Sequence, residues 1–165
     1  MKRIILDTNI YGRIVEKRQE EEIRQIIERH HGVIIYGFDV VRKELRAVSK
    51  DVRSSKKLVR LMLLGIYDKL IKSHNYFTTS AIVQLSGEYY SVYRELGGKE
   101  SEKEMLNDFL IVACASIHEL DIVVSDDNET MLSDNAIKAY RIINSLKKYR
   151  TPEFIGYGAF WRLLA

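Results

Sequence analysis

Three short runs of β-branched and apolar residues are separated by long stretches with helical spacing: Ile4, Ile5 and Leu6; Val33, Ile34, Ile35 and Tyr36; and Ile122, Val123 and Val124. Strands with no polar alternation are buried on both faces, and strands joined through helices pair in parallel by right-handed crossovers. The expected fold is therefore α/β, with a mainly parallel central sheet covered by helices on both sides. Between the first two strands, Ile23, Ile26 and Ile27 recur at i, i+3 and i+4, and Gly32 after His30 and His31 ends that helix. Val41, Leu45 and Val48 predict a helix over 40–48, and an apolar-rich helix follows over 58–71, making the middle of the chain a helical hairpin. A helix over 79–96 stops at Gly97 and Gly98, and Ser101 with Glu104 forms a capping box that opens the next, which reaches about His118. Ser133 is expected to cap a helix running to about Lys148, and residues 154–157 form a last short strand.

With 165 residues, 46% of them apolar and 30% charged, one proline and nine glycines, the chain has the size and composition of one globular domain over 1–165. That composition excludes a disordered tail or a fibrous repeat. No apolar stretch approaches the roughly 18 residues of a membrane span, and Asp7 cuts short any signal-peptide apolar region. A lone cysteine, Cys114, sits among Val112, Ala113 and Ala115 and reads as a buried structural thiol. The chain is expected in the cytoplasm, without redox chemistry or a membrane partner.

The net charge of +3 conceals a strong segregation. Residues 40–75 carry ten basic and three acidic groups, whereas residues 76–135 carry three basic and twelve acidic ones. The basic run includes Arg42, Lys43, Arg46, Lys50 and Arg53, the kind of cluster that contacts a phosphate backbone; a solvated helix face has the same pattern.

The acids are the informative part. Asp7 closes the first strand, and Asp126 and Asp127 follow the strand at 122–124, so they lie at carboxyl ends of strands, where open α/β sheets build their sites. Each is also good turn or helix-cap chemistry, in Asp-Thr-Asn and Ser-Asp-Asp-Asn. Glu44 shares a helix face with Val40, Val41, Ala47 and Val48, and Asp108 shares one with Met105, Ile111 and Val112. A carboxylate on an apolar stripe costs several kcal/mol unless something compensates it, either a buried arginine or a divalent cation. Several carboxylates together suit Mg²⁺ or Mn²⁺, which take oxygen ligands and complete their shells with water and phosphate.

Other chemistries lack their residues. His74 and His118 have no partner at zinc spacing, and neither a phosphate loop nor a glycine-rich dinucleotide fingerprint follows the first strand. Tyr89, Tyr90 and Tyr93 on one helix read as helix packing ahead of base stacking.

Leu-Asp-Thr-Asn at positions 6–9, the mid-chain Glu44, and Asn-Asp-Phe-Leu-Ile-Val-Ala ahead of Val-Val-Ser-Asp-Asp together resemble the PIN domain, in its VapC-like form. The resemblance implies a three-layer α/β/α fold and an acidic cluster holding Mg²⁺ or Mn²⁺. It also implies endoribonuclease activity on RNA, as the toxin of a toxin-antitoxin pair, with a small antitoxin protein as partner and a homodimer as assembly. By motif, Asp7, Glu44, Asp108 and either Asp126 or Asp127 match the family acids, and Thr8 and Asn9 match the residues supporting the first. The chain is longer than the compact toxin pattern, the excess lying between Glu44 and Asp108. The expected chemistry is metal-assisted phosphodiester hydrolysis, with Asp7, Asp108 and Asp126 or Asp127 as ligands and Glu44 completing the cluster. Two alternatives use the same fold class. One is a catalytically silent RNA-binding or assembly module of PIN fold. The other is an aspartyl-phosphate phosphatase or receiver, disfavoured because the phosphatase needs an aspartate where Asn9 stands.

Overall fold

A computed structural model describes all of residues 1–165. The chain runs β1 (Lys2–Leu6), α1 (Thr8–Glu16), α2 (Glu20–Arg29), β2 (Val33–Phe38), α3 (Asp39–Ala47), β3 (Arg53–Ser54), β4 (Lys57–Leu58) and α4 (Val59–Ile71). It continues with β5 (Asn75–Tyr76), α5 (Ser80–Glu95), α6 (Glu102–Ile117), β6 (Ile122–Val124), α7 (Asp134–Lys147), β7 (Glu153–Ile155) and α8 (Tyr157–Leu164). Five strands form one sheet in the order β5-β2-β1-β6-β7, and every pairing in it is parallel. The two apolar runs at the centre, β1 and β6, are fully buried at Ile4, Ile5, Leu6, Ile122, Val123 and Val124 because helices cover both faces. This is the three-layer α/β/α, PIN-like architecture expected from the sequence.

Helices α1, α2 and α3 pack on α4, whereas α5 packs on α6 and α7, and one contiguous apolar core joins the layers. The Ser101–Glu104 capping box is present, and Thr79 caps α5 by accepting from the Ile82 amide. Tyr89 and Tyr93 are buried against Phe109, with Tyr140 edge-on to Tyr89 at 5.0 Å, so these rings are packing elements. Cys114 is fully buried on α6.

Four local expectations are corrected. The helix between β1 and β2 is broken into α1 and α2 by Arg18 at φ 55°, where the Gln19 amide closes back on the Ile14 carbonyl at 3.0 Å; this left-handed closure outweighs the continuous apolar spacing. The helical hairpin is interrupted by the antiparallel β3–β4 hairpin, whose two-residue turn places both Ser55 and Lys56 at positive φ, as a primed turn requires. Ser133 stands at the N-cap of α7, but its hydroxyl donates to the Thr130 carbonyl at 2.8 Å instead of capping. The last strand is shorter than residues 154–157, because Tyr157 begins α8.

Candidate active site

The sheet register brings the first and last acidic motifs together. Leu6 pairs with Val124, and the ladder continues one step further, with the Asp7 amide donating to the Val124 carbonyl at 2.9 Å and the Ser125 amide to the Ile155 carbonyl at 3.0 Å. Asp7 and Ser125 therefore sit side by side at the carboxyl edge. Asp7 is only 4% exposed, and its carboxylate accepts from the Thr8 amide (2.7 Å), the Ser125 hydroxyl (2.7 Å) and the Asn9 side-chain amide (2.8 Å). These three donors favour the charged form, but burial outweighs them and holds the carboxyl above its ordinary range; the charge of Asp127 adds to that.

Thr8 links two of the acids. Its amide serves Asp7, and its hydroxyl donates to Glu44 Oε1 at 3.1 Å across from α3. Glu44 is half-buried, and its carboxyl is raised first by burial and then by the charge of Asp7. The stripe around it is less buried than its spacing suggested. Val41 and Leu45 enter the core, but Val40 and Ala47 line, with Glu44, Lys43, Asn107 and Leu106, an open hollow of about 510 Å³.

Asp108 projects from α6, anchored by the buried Met105, Phe109, Ile111 and Val112. Its carboxyl is pushed up to about 7, chiefly by burial, and further by the charges of Asp7, Asp127 and Glu44. Asp127 reaches the same place from the turn after β6. The Thr130 hydroxyl lies 2.5 Å from Asp108 Oδ2 and 2.5 Å from Asp127 Oδ2, so the two carboxylate oxygens stand no more than twice that distance apart. A hydroxyl has one hydrogen to donate. It therefore donates to one of the two carboxylates at a time.

The adjacent Asp126 turns the other way. Its Oδ1 accepts from the Tyr157 amide at the start of α8 (2.9 Å) and its Oδ2 lies 3.3 Å from Arg13 Nε. The structure thus brings together Asp7, Glu44, Asp108 and Asp127, and it directs Asp126 to the start of α8. Asn9 is a brace, bonding Asp7, the Ser125 hydroxyl and, through Oδ1, the Asp126 amide at 3.1 Å. Two further members, Ser125 and Thr130, were not singled out from sequence. Ser125 is fully buried, donates to Asp7 and accepts from the Asp127 amide at 3.0 Å. The detectable signal for Thr130 is its spacing from Asp127, whose Oδ1 accepts from the Thr130 amide at 2.9 Å in an aspartate turn.

None of the four converging carboxylates has a basic partner within 4.0 Å; every ion pair in the molecule involves other acids. As they stand, no three of them are close enough together to hold a metal ion between them. An open, oxygen-only, uncompensated group offers the donor type that a hard divalent cation such as Mg²⁺ takes, together with several waters and substrate phosphate.

The basic run divides into separate places. Arg42 is paired with Asp68 at 3.1 and 3.2 Å. Lys43 borders the Glu44 hollow, Arg46 lies in the neighbouring one, and Lys50 and Arg53 surround a third hollow beside the hairpin.

The class that these features define is the PIN-like three-layer α/β/α fold with an acid cluster at the carboxyl edge of its sheet. No family model matches the sequence. No curated protein matches it either. Solved structures do match in fold. VapBC2 from Rickettsia felis, bound to a DNA fragment from its promoter, superposes with a TM-score of 0.59 at 17% identity, covering 93% of this chain and 98% of that one. FitAB bound to an IR36 DNA fragment gives 0.58 at 14% identity, covering 93% and 94%. VapBC-1 from nontypeable Haemophilus influenzae gives 0.57 at 12% identity, covering 94% and 98%. At these identities the likeness is one of fold.

Proposed function

We propose that this chain is a single-domain, divalent-metal-dependent endoribonuclease acting as the toxin of a VapBC-type pair. The observation that carries the reading is the convergence of Asp7, Glu44, Asp108 and Asp127 without a cation of the protein's own among them. The fold likeness to the VapBC and FitAB complexes supports the toxin role and a small antitoxin as partner. A cytoplasmic homodimer belongs to the same reading; no helix here is long and apolar enough to cross a membrane.

Asp7, Asp108 and Asp127 would hold Mg²⁺ or Mn²⁺, with Asp126 left to its role at α8. The cation, when bound, polarises a phosphoryl oxygen and acidifies a water, the chemistry of phosphodiester hydrolysis. Glu44, oriented by the Thr8 hydroxyl and by Asn107, would accept a proton from the attacking water; its raised pKa brings it nearer the working pH of a general base. Ser125, Asn9 and Thr130 fix the directions of the carboxylates. Lys43 and Arg46 hold the RNA backbone beside a pocket that, without metal, repels phosphate. The test is cleavage of labelled single-stranded RNA in Mn²⁺ or Mg²⁺, with EDTA and the Asp7→Asn and Asp108→Asn variants alongside. Activity lost in all three controls supports the reading. A folded wild-type protein that neither binds Mn²⁺ nor cuts RNA overturns it in favour of the silent module.

A further inference from the structure

Phe77 is the most exposed aromatic ring of the molecule, with 69% of its surface in water. It follows β5, whose carboxyl end lies on the same edge of the parallel sheet as Asp7 and Asp127. Its backbone is fixed on both sides. Asn75 Oδ1 accepts from the buried Tyr67 hydroxyl at 2.5 Å, and Thr78 donates to both oxygens of Asp39, its amide at 3.0 Å and its hydroxyl at 2.7 Å. The ring lines a hollow of about 280 Å³ with Asn75, Asp39 and three cations of α3, Arg42, Lys43 and Arg46. Asp39 and Lys43 also border the hollow that contains Glu44, so the two recesses adjoin.

The charges around Phe77 are unequal. Arg42 is neutralised by Asp68, while the Asp39 carboxylate, hydrogen-bonded by Thr78 at both oxygens, keeps its charge and offsets one cation of the recess. Lys43 and Arg46 have no acidic partner within 4.0 Å. An exposed aromatic face in one recess with two cations that have no acidic partner matches a flat ring flanked by phosphates. An apolar protein side chain would cover Phe77 but leave both cations unmatched, and a duplex offers phosphates but no free base.

We propose that this recess is a nucleobase subsite. An unpaired base of the RNA strand stacks on Phe77 while Lys43 and Arg46 take the adjoining phosphates, and the strand continues past Glu44 to the acid cluster. The inference rests on the ribonuclease reading and deepens it, because stacking selects single strands and, every base having a π-face, is tolerant of sequence.

The experiment measures binding of a single-stranded RNA carrying 2-aminopurine and short enough to occupy the Phe77 recess without reaching the acid cluster, in EDTA so that no cleavage intervenes, with Phe77→Ala and Phe77→Trp compared to wild type. Phe77 is exposed, so both variants are expected to fold. Phe77→Ala should weaken the single strand about tenfold and abolish the stacking quench of 2-aminopurine, Phe77→Trp should restore both, and a duplex RNA should bind all three alike. Unchanged affinity and quench in Phe77→Ala overturns the subsite, as does an equal loss on the duplex. Self-association of the wild type that Phe77→Ala abolishes, with RNA binding intact, assigns the ring to a protein interface and overturns it too. Failure of the nuclease reading looks different: wild type and variants alike then cut no RNA in Mn²⁺.

Discussion

Replacing Asp108 by Asn should stabilise the metal-free protein. Its carboxyl is held at about 7 in the fold against 3.8 as the ordinary value, so the folded state disfavours the charged form by roughly 4 kcal/mol at 1.36 kcal/mol per pKa unit. The sign follows from proton binding. Below pH 4 the group is neutral in both states and costs nothing; between pH 4 and 7 the unfolded chain loses its proton while the folded one keeps it, so stability falls as pH rises; above 7 the whole penalty is present. Asparagine removes the charge but makes a weaker bond to Thr130, which leaves a net gain of about 2 kcal/mol at pH 8, or roughly 4 to 8 °C in Tm for a chain of this length. The assay is thermal unfolding of wild type and Asp108→Asn in EDTA from pH 4 to 8. The variant's advantage should be full at pH 8 and vanish by pH 4. Mn²⁺ at about 100 times its Kd adds roughly 2.7 kcal/mol to the wild type alone and closes the gap. A variant that melts at or below wild type at pH 8, with a gap indifferent to pH, would refute the claim that Asp108 faces an uncompensated cluster.

The two acids after β6 should separate cleanly. Asp127→Asn is expected to abolish the Mn²⁺-induced rise in Tm and to reduce RNA cleavage by about 100-fold, the upper end of what losing even a partner of a metal ligand costs. Asp126→Ala should keep both and lower Tm by about 2 to 4 °C, since it loses a helix-start acceptor at Tyr157 worth about 1 kcal/mol and an exposed pair with Arg13 worth little; the opposite pattern would reassign the metal ligand. Ser125→Ala deprives Asp7 of a donor and the Asp127 amide of an acceptor. It should cost about 1 to 3 kcal/mol and weaken Mn²⁺ binding about 10- to 100-fold, and an unchanged Mn²⁺ titration would show that the serine does not align the carboxylates.

Several features were legible along the chain because they depend on local chemistry and periodicity. Ile4 to Leu6 and Ile122 to Val124 are too continuously apolar to have an exposed face, which made them central parallel strands. Ser101 and Glu104 close their capping box within three residues, so nothing distant can disturb it. The phase of Asp108 on its apolar helix gave a carboxylate turned to the interior before any partner was known. The break at Arg18, the Ser55–Lys56 turn and the two-residue strand β5 escaped the same reading, because left-handed φ at non-glycine residues and a strand of two residues leave no periodic trace.

What the sequence by itself determined was the strand identities, and hence that acids stand at the carboxyl ends of β1 and β6 and on the inner faces of α3 and α6. What only the tertiary structure decided was which acids meet. Asp126 and Asp127 are neighbours in one turn, and along the chain only the spacing of Thr130 from Asp127 separates them, which says nothing of where either points. Their directions are set by what lies across the fold: Arg13 and the start of α8 draw one away, while Thr130 and Ser125 hold the other beside Asp108 and Asp7. The same holds for Phe77, an unremarkable loop residue until the parallel pairing of β5 with β2 places it next to Lys43 and Arg46. Backbone elements follow from short-range spacing, whereas side-chain convergence requires the sheet order to be complete.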